Sequence, residues 1–190
     1  MREITMSSQP HIVLPWVVRR IRLPLLSLRC VDCPSESATT GDGRFRVNAN
    51  GKLLDVWLLV RCASCDRTSK LTVHERASVR TFDPAELDGY HANAPELVAA
   101  TLLDPLFARR NRFALDWTGA WRLYTPPTRV DEAWPVQVDV AFEDPVPVRP
   151  ERLIAYGLGL SRNEVLRRVK CDISLRRQRS SGFTFVVMGD

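Results

Sequence analysis

Two cysteine pairs, Cys30-Val31-Asp32-Cys33 and Cys62-Ala63-Ser64-Cys65, constrain this chain more than any other feature. Each pair separates its thiols by two residues, so one tight turn aims both sulfurs at a common point, and two such turns close a tetrahedron. Four cysteine ligands make a closed structural Zn2+ site, whereas a catalytic zinc keeps one position for water. The 28 residues between the pairs, Pro34 to Arg61, exceed the usual spacer of roughly 15–20, and an intervening hairpin explains the excess. The competing readings are unligated buried cysteines and a redox dithiol. That chemistry needs a single pair, normally at a helix N-terminus that favours the thiolate, and neither pair here precedes a helical pattern. Five cysteines, an odd number with no stretch that reads as a secretory signal, argue against a disulfide framework. With four thiolates present, His74 reads as a surface histidine at a strand end, and Cys171 as a core residue at a helix-to-strand junction.

The segments around these pairs have readable local patterns. Residues 1–11 hold little apolar surface and are expected to form a disordered leader to the strand-like run Ile12-Val13-Leu14. Residues 12–28 are the stretch most like a membrane segment, but Arg19, Arg20 and Arg22 interrupt it and Pro15 and Pro24 break any long helix, so no membrane partner and a cytoplasmic location are expected. A polar loop from Pro34 to Gly43 precedes two strands that flank Asn50-Gly51, a type I′ hairpin signal, and a further strand follows Cys65. Asp83-Pro84 opens a helix that ends near Tyr90. A second helix fits Pro95 to about Arg110, broken at Pro105, with Leu97, Val98, Thr101, Leu102 and Leu106 or Phe107 on the face toward the sheet. Val136, Val138 and Val140 alternate as in a short strand. The Pro-rich stretch 144–150 reads as a linker. The expected organisation is therefore α+β: a leader (1–11), an antiparallel zinc-ribbon-like sheet with a helical and mixed middle (12–143), the linker (144–150), and a small basic α+β unit (151–190).

The charge of +5 is not spread evenly. From Arg149 to Arg179 nine Lys and Arg face three Asp and Glu, a surplus of six, so the remainder is near neutral. Such a cluster points to an anionic partner, nucleic acid being the commonest, against the plainer alternative of a solvated basic face. Within it a short helix opens at Arg152-Leu153 and ends near Gly157 or Gly159. Ser161-x-x-Glu164 is a capping box for a second helix. Val165, Leu166 and Val169 form the apolar stripe of that helix. Arg167, Arg168 and Lys170 then lie toward solvent, where they can meet phosphate. Ile173 and Leu175 are expected to begin a strand, Arg176, Arg177 and Arg179 to occupy the following turn, and Phe183–Val187 to close the unit.

Arg29-Cys30-x-x-Cys33, the block from Phe45 to Lys52, Asp55-Val56-Trp57-Leu58 and Cys62-x-x-Cys65 together resemble the bacterial proteins grouped as domain of unknown function 1062. The resemblance implies a zinc-ribbon-like N-terminal half, and the family has no assigned activity to carry over. In the C-terminal unit, Arg152-Leu153 and Leu160-Ser161-Arg162-x-Glu164 resemble the RNA-binding domain of ribosomal small-subunit protein four. Asp does not follow Leu153, and Leu175-Arg176-Arg177-Gln178-Arg179 replaces the domain's usual turn. By that resemblance Arg162, Arg167, Arg168 and Lys170 grip the backbone of a ribosomal or transfer RNA, although Arg162 projects near the apolar stripe and an internal ion pair competes for it.

These readings converge on a non-catalytic zinc-containing RNA-binding protein that uses Arg152, Arg162, Arg167, Arg168, Lys170, Arg176, Arg177 and Arg179. The alternative is a protein–protein adaptor or transcription-associated factor whose ribbon docks a partner. No catalytic set stands out; a pocket around Trp117, Trp121 and Trp134 is the place where a small ligand would be sought.

Overall fold

A computed structural model describes residues 12–127 and 135–189. The expected leader 1–11 and Trp134 lie outside the described residues. In chain order the strands are β1 (Ile12–Arg20), β2 (Leu25–Ser27), β3 (Ser37–Asn50), β4 (Leu53–Cys62), β5 (Thr68–Ser78), β6 (Ala114–Asp116), β7 (Trp121–Tyr124), β8 (Val136–Phe142), β9 (Val169–Lys170) and β10 (Phe183–Val187). The helices are α1 (Pro84–Ala92), α2 (Pro95–Leu103), α3 (Pro105–Arg110), α4 (Pro150–Leu158) and α5 (Arg162–Arg168). The fold is α+β with two sheets rich in antiparallel pairs. Among the described residues no helix is long and apolar enough to cross a membrane, and the segment most like one begins with strand β1.

The chain forms two compact units, Leu23–Thr118, and Met1–Arg22 together with Gly119–Asp190. This division differs from the expected one, which placed residues 12–143 in one domain and a linker at 144–150.

In the Leu23–Thr118 unit the strand order is β5-β4-β3-β2-β6, antiparallel throughout. Alternation along β4 decides its core face: Leu54, Val56, Leu58 and Val60 are buried while Leu53, Asp55, Trp57 and Leu59 are half-exposed. Tyr90, Val98, Leu102 and Phe107 bring α1, α2 and α3 into that core, with Phe107 rather than the exposed Leu106 completing the stripe. Asp83 caps α1 by accepting from the Ala85 amide at 2.7 Å, and Asp104 ends α2 and caps α3 across Pro105. Two asparagines pin the helices to strands. Asn93 Oδ1 accepts from the Phe45 amide at 2.7 Å, and Asn111 Oδ1 accepts from the Thr72 amide at 2.7 Å.

The hairpin turn is displaced by one residue from the expected one. Asn50 pairs with Leu53, so Gly51-Lys52 forms the loop, and of these two Gly51 alone has positive φ (62°), the pattern of a type II′ rather than a type I′ turn. The expected polar loop is also shorter. Residues from Ser37 onward are already in β3, and a bulge between Thr39 and Arg44 absorbs the two glycines with positive φ, Gly41 and Gly43.

In the other unit the order is β7-β1-β8-β10-β9, with β1 and β8 parallel. Its core joins Trp16, Val18, Val138, Val140, Phe185 and Val187 from the strands with Leu153, Ile154 and Val165 from α4 and α5. The stretch 144–150 is no linker here. Val146 and Val148 are 0% and 6% exposed, and Val148 bridges Arg179 through two 2.8 Å backbone hydrogen bonds. Pro145 and Pro147 prevent a regular strand, yet Val146 and Val148, which each follow a proline, point into the core. Ile173 and Leu175 begin no strand; β9 ends at Lys170, and residues 171–182 form an irregular connection. The capping box at Ser161 and Glu164 is present, with Gly159 in the left-handed region (φ 66°) ending α4.

Candidate metal centre and basic surface

The first cysteine pair follows β2, and the second spans the end of β4 and the turn into β5. Backbone hydrogen bonds join the segments that carry them: Leu28 and Cys30 donate to Glu36 and Ser35, Ala63 donates to Ser37, and Cys62 donates to Arg67. Asp66, with φ of 57°, reverses the chain directly after Cys65. All four sulfurs consequently lie within 4.8 Å of one another, with Cys30–Cys65 at 3.7 Å and Cys33–Cys62 at 3.6 Å.

Those separations fit a metal. A tetrahedral ion with metal–sulfur bonds near 2.3 Å sets its sulfurs about 3.8 Å apart. The amides of Asp32 and Ser64 point at the Cys30 and Cys62 sulfurs at 3.5 and 3.4 Å, as donors to thiolate do. Titration behaviour matches this arrangement. The Ser64 and Cys65 amides draw the Cys62 thiol down to about 6. Cys65, despite the Arg67 amide that favours its thiolate, is pushed up to about 12 by the neighbouring sulfurs, Cys33 foremost, and by desolvation. Without an ion, thiolates this close hold protons between them; a cation replaces the protons. An Arg67–Asp32 ion pair links the two knuckles beside the sulfurs, a contact that the spacing pattern gave no means of finding. Cys62 is buried, Cys30 and Cys33 are half-buried and Cys65 is exposed, so the cluster is open to exchange with solution. Cys171 is not among the four ligands; its thiol donates to the Thr184 carbonyl at 3.2 Å.

His74 is neither a ligand nor at a strand end. It lies within β5, half-buried, with Nε2 2.9 Å from the Tyr90 hydroxyl, which donates to Glu86 at 2.9 Å. Burial holds its pKa below the ordinary value, while Glu86 opposes that shift and Arg110 reinforces it. A lowered histidine pKa means that the unfolded chain takes up the proton first, so stability is full above about pH 6.5 and is lost as pH falls through the folded value. His74→Gln should therefore flatten the pH 5–7.5 stability curve measured by urea unfolding, by less than about 1 kcal/mol because solvent screens a half-exposed group.

The predicted basic residues divide into two sets. Arg152, Arg162, Arg167, Lys170, Arg176 and Arg177 are exposed, and none is held in an ion pair among the described residues. Arg162 thus makes no internal pair among the described residues. Arg168 is half-buried and its Nε donates to the Met188 carbonyl at 3.3 Å, so it fastens α5 to the end of β10 instead of facing solvent. Arg179 is half-buried next to Val148. The expected stripe of α5 also changes, since Val165 and Val169 are buried but Leu166 is 45% exposed. Trp117 and Trp121 fall in different units.

Residues 47–179 match a family model described as "Protein of unknown function (DUF1062)". The matched stretch holds Cys62, Cys65 and the whole basic segment as far as Arg179, and it begins after Cys30 and Cys33. Neither a curated protein nor a solved structure matches the chain.

Proposed function

Because the chain belongs to the DUF1062 family, which carries no assigned activity, its role has to be read from its own residues, and we propose that it is a non-catalytic zinc-containing protein that binds RNA backbone through its basic C-terminal stretch. Zinc suits a closed set of four thiolates that are soft, negatively charged and placed at tetrahedral spacing. Its part is structural. Cys30, Cys33, Cys62 and Cys65 would hold the ion and thereby clamp the β2–β3 connection to the β4–β5 turn.

The observation that carries the RNA reading is the set of six exposed cations on the 152–177 stretch that are outside any ion pair among the described residues. Elsewhere in the same unit Arg19 and Arg20 are matched by Glu143 and Asp144. Unmatched charge repels itself, and a polyanion relieves that repulsion while it releases counterions. RNA chemistry would enter through backbone phosphates and shape rather than through base edges.

The test is fluorescence anisotropy with a structured RNA across a salt series. Wild-type affinity should fall steeply with salt. Changing Arg162, Arg167 and Lys170 together to Gln should weaken binding by about 100-fold and flatten the log–log salt slope by about 2–3, given roughly 0.7–0.9 per phosphate contact. Unchanged affinity in that variant, with helicity retained, would remove the reading.

A further inference from the structure

The connection between β9 and β10 borders an open recess of about 520 Å³ lined in part by Asp172, Ser174, Arg177, Arg179, Ser180 and Ser181. Arg179 is held at its root, where its amide and carbonyl each bond Val148 at 2.8 Å. Its Nη2 donates to the Ser181 hydroxyl at 3.3 Å, but its Nε is fully buried and has no partner among the described residues. An unpaired buried guanidinium nitrogen is costly, because folding strips its water without supplying an acceptor. Such an orphan donor calls for an explanation; an anion is a leading one, which a shift of the half-buried Arg179 side chain toward the recess would let in.

We infer that this recess is a binding site for a phosphate group, with the guanidinium of Arg179 as its anchor. Three features select the ligand class. The donors are two guanidinium groups and three serine hydroxyls, more than the two oxygens of a carboxylate can use but suited to a tetrahedral oxyanion. Arg177 and Arg179 against Asp172 leave one net positive charge, which matches a phosphodiester or monoanionic phosphate. Asp172 opposes a more highly charged anion and so sets an upper limit on ligand charge. The volume falls within the range of pockets that take whole small molecules, roughly 300–1,000 Å³, so there is room for a phosphate carried on a larger group.

This site deepens the RNA reading, on which it rests only where the phosphate comes from RNA; the same groups would hold free inorganic phosphate. The experiment follows the Nε–Hε resonance of Arg179 in 15N-labelled full-length protein during titration with inorganic phosphate at constant ionic strength. Arg179→Lys, which keeps the charge and removes Nε, identifies the resonance. A saturable shift that chloride does not reproduce is expected, with affinity on the order of millimolar for a lone ion. Arg177→Gln should weaken it by about 5–10-fold, as loss of one charge-assisted contact does. A second titration uses single-stranded RNA with a 5′-hydroxyl, whose phosphates are all diesters. If RNA moves the same resonance and blocks the phosphate shift, the natural source is RNA backbone. If phosphate alone moves it, the site takes free phosphate and stands even where the Arg162, Arg167 and Lys170 test fails. No saturable shift up to about 50 mM phosphate, well beyond millimolar affinity, or a shift unaffected by Arg177→Gln, would overturn the assignment.

Discussion

On the proposed zinc reading, replacing Cys62 by serine will abolish stoichiometric zinc binding and lower the melting temperature of the Leu23–Thr118 unit by more than about 10 °C, since each kcal/mol lost from a domain of this size shifts the midpoint by about 4–8 °C. Cys62 ends strand β4 and is the one buried cysteine of the four, so its replacement both opens the tetrahedron and leaves a hydroxyl where a thiolate accepted the Ser64 amide. Structural zinc typically contributes about 10–16 kcal/mol to such knuckles, as much as the whole net stability of about 5–15 kcal/mol of a typical domain. Loss of even a fraction of that term dominates. Chelation of the wild-type protein should reproduce the shift. Cys171→Ser, a change at the fifth cysteine, should keep one zinc per chain and the original midpoint. Metal affinity should also rise with pH, because each thiol that still holds its proton must release it to the ion. Elemental analysis together with melting curves checks all of this, and a Cys62→Ser protein that retained both zinc and midpoint would dismiss the structural role.

What could be read from the chain alone was whatever depends on near neighbours. The two-residue cysteine spacing, the Asp83-Pro84 and Ser161-Glu164 caps and the break at Pro105 each rest on geometry that closes within about one turn, and each has its counterpart in the structure. The misreadings arose where a distant partner decides. Pro145 and Pro147 announce an absent donor and a fixed φ, which linkers and packed irregular segments share; burial of Val146 and Val148 depends on a core built from β8 and α4. Nothing near Ile12–Arg20 tells that β1 will pair in parallel with β8, more than a hundred residues later. Ile173 and Leu175 have β-branched and aliphatic side chains, but β10 already finds its partners in β8 and β9 and leaves them no edge. Arg168 looked solvent-facing by helical spacing, and its acceptor, the Met188 carbonyl, lies twenty residues further along.

Shortening Trp16 to alanine should cost about 3–5 kcal/mol, the usual range for deletion of a buried aromatic, while Gly157→Ala should cost about 2 kcal/mol by the opposite fault of overpacking. Trp16 is 2% exposed, meets Phe185 edge-on at 5.4 Å, and carries the seat of α4. A Cβ on Gly157 would stand 2.3 Å from the rim of that indole and 2.9 Å from Leu123. In the helix interior alanine is intrinsically better than glycine by about 1 kcal/mol, so the sign of the Gly157→Ala effect reports whether the close approach outweighs propensity. A rigid ring, held on its other side by Phe185, has no easy way to yield, and the clash wins. In the double variant the new methyl group enters space vacated by the indole, so the combined loss should fall short of the sum by about 1 kcal/mol or more. The same change bears on function, because α4 carries Arg152 and packs on α5, which carries Arg162 and Arg167. Displacement of α4 moves those cations relative to one another. On the proposed RNA reading, Gly157→Ala should accordingly weaken RNA binding without altering net charge, and Trp16→Ala added to it should recover part of the affinity. Denaturant unfolding and anisotropy on the four proteins test both statements. Additive losses, or a Gly157→Ala protein more stable than wild type, would show that the helix does not rest on Trp16 in this way.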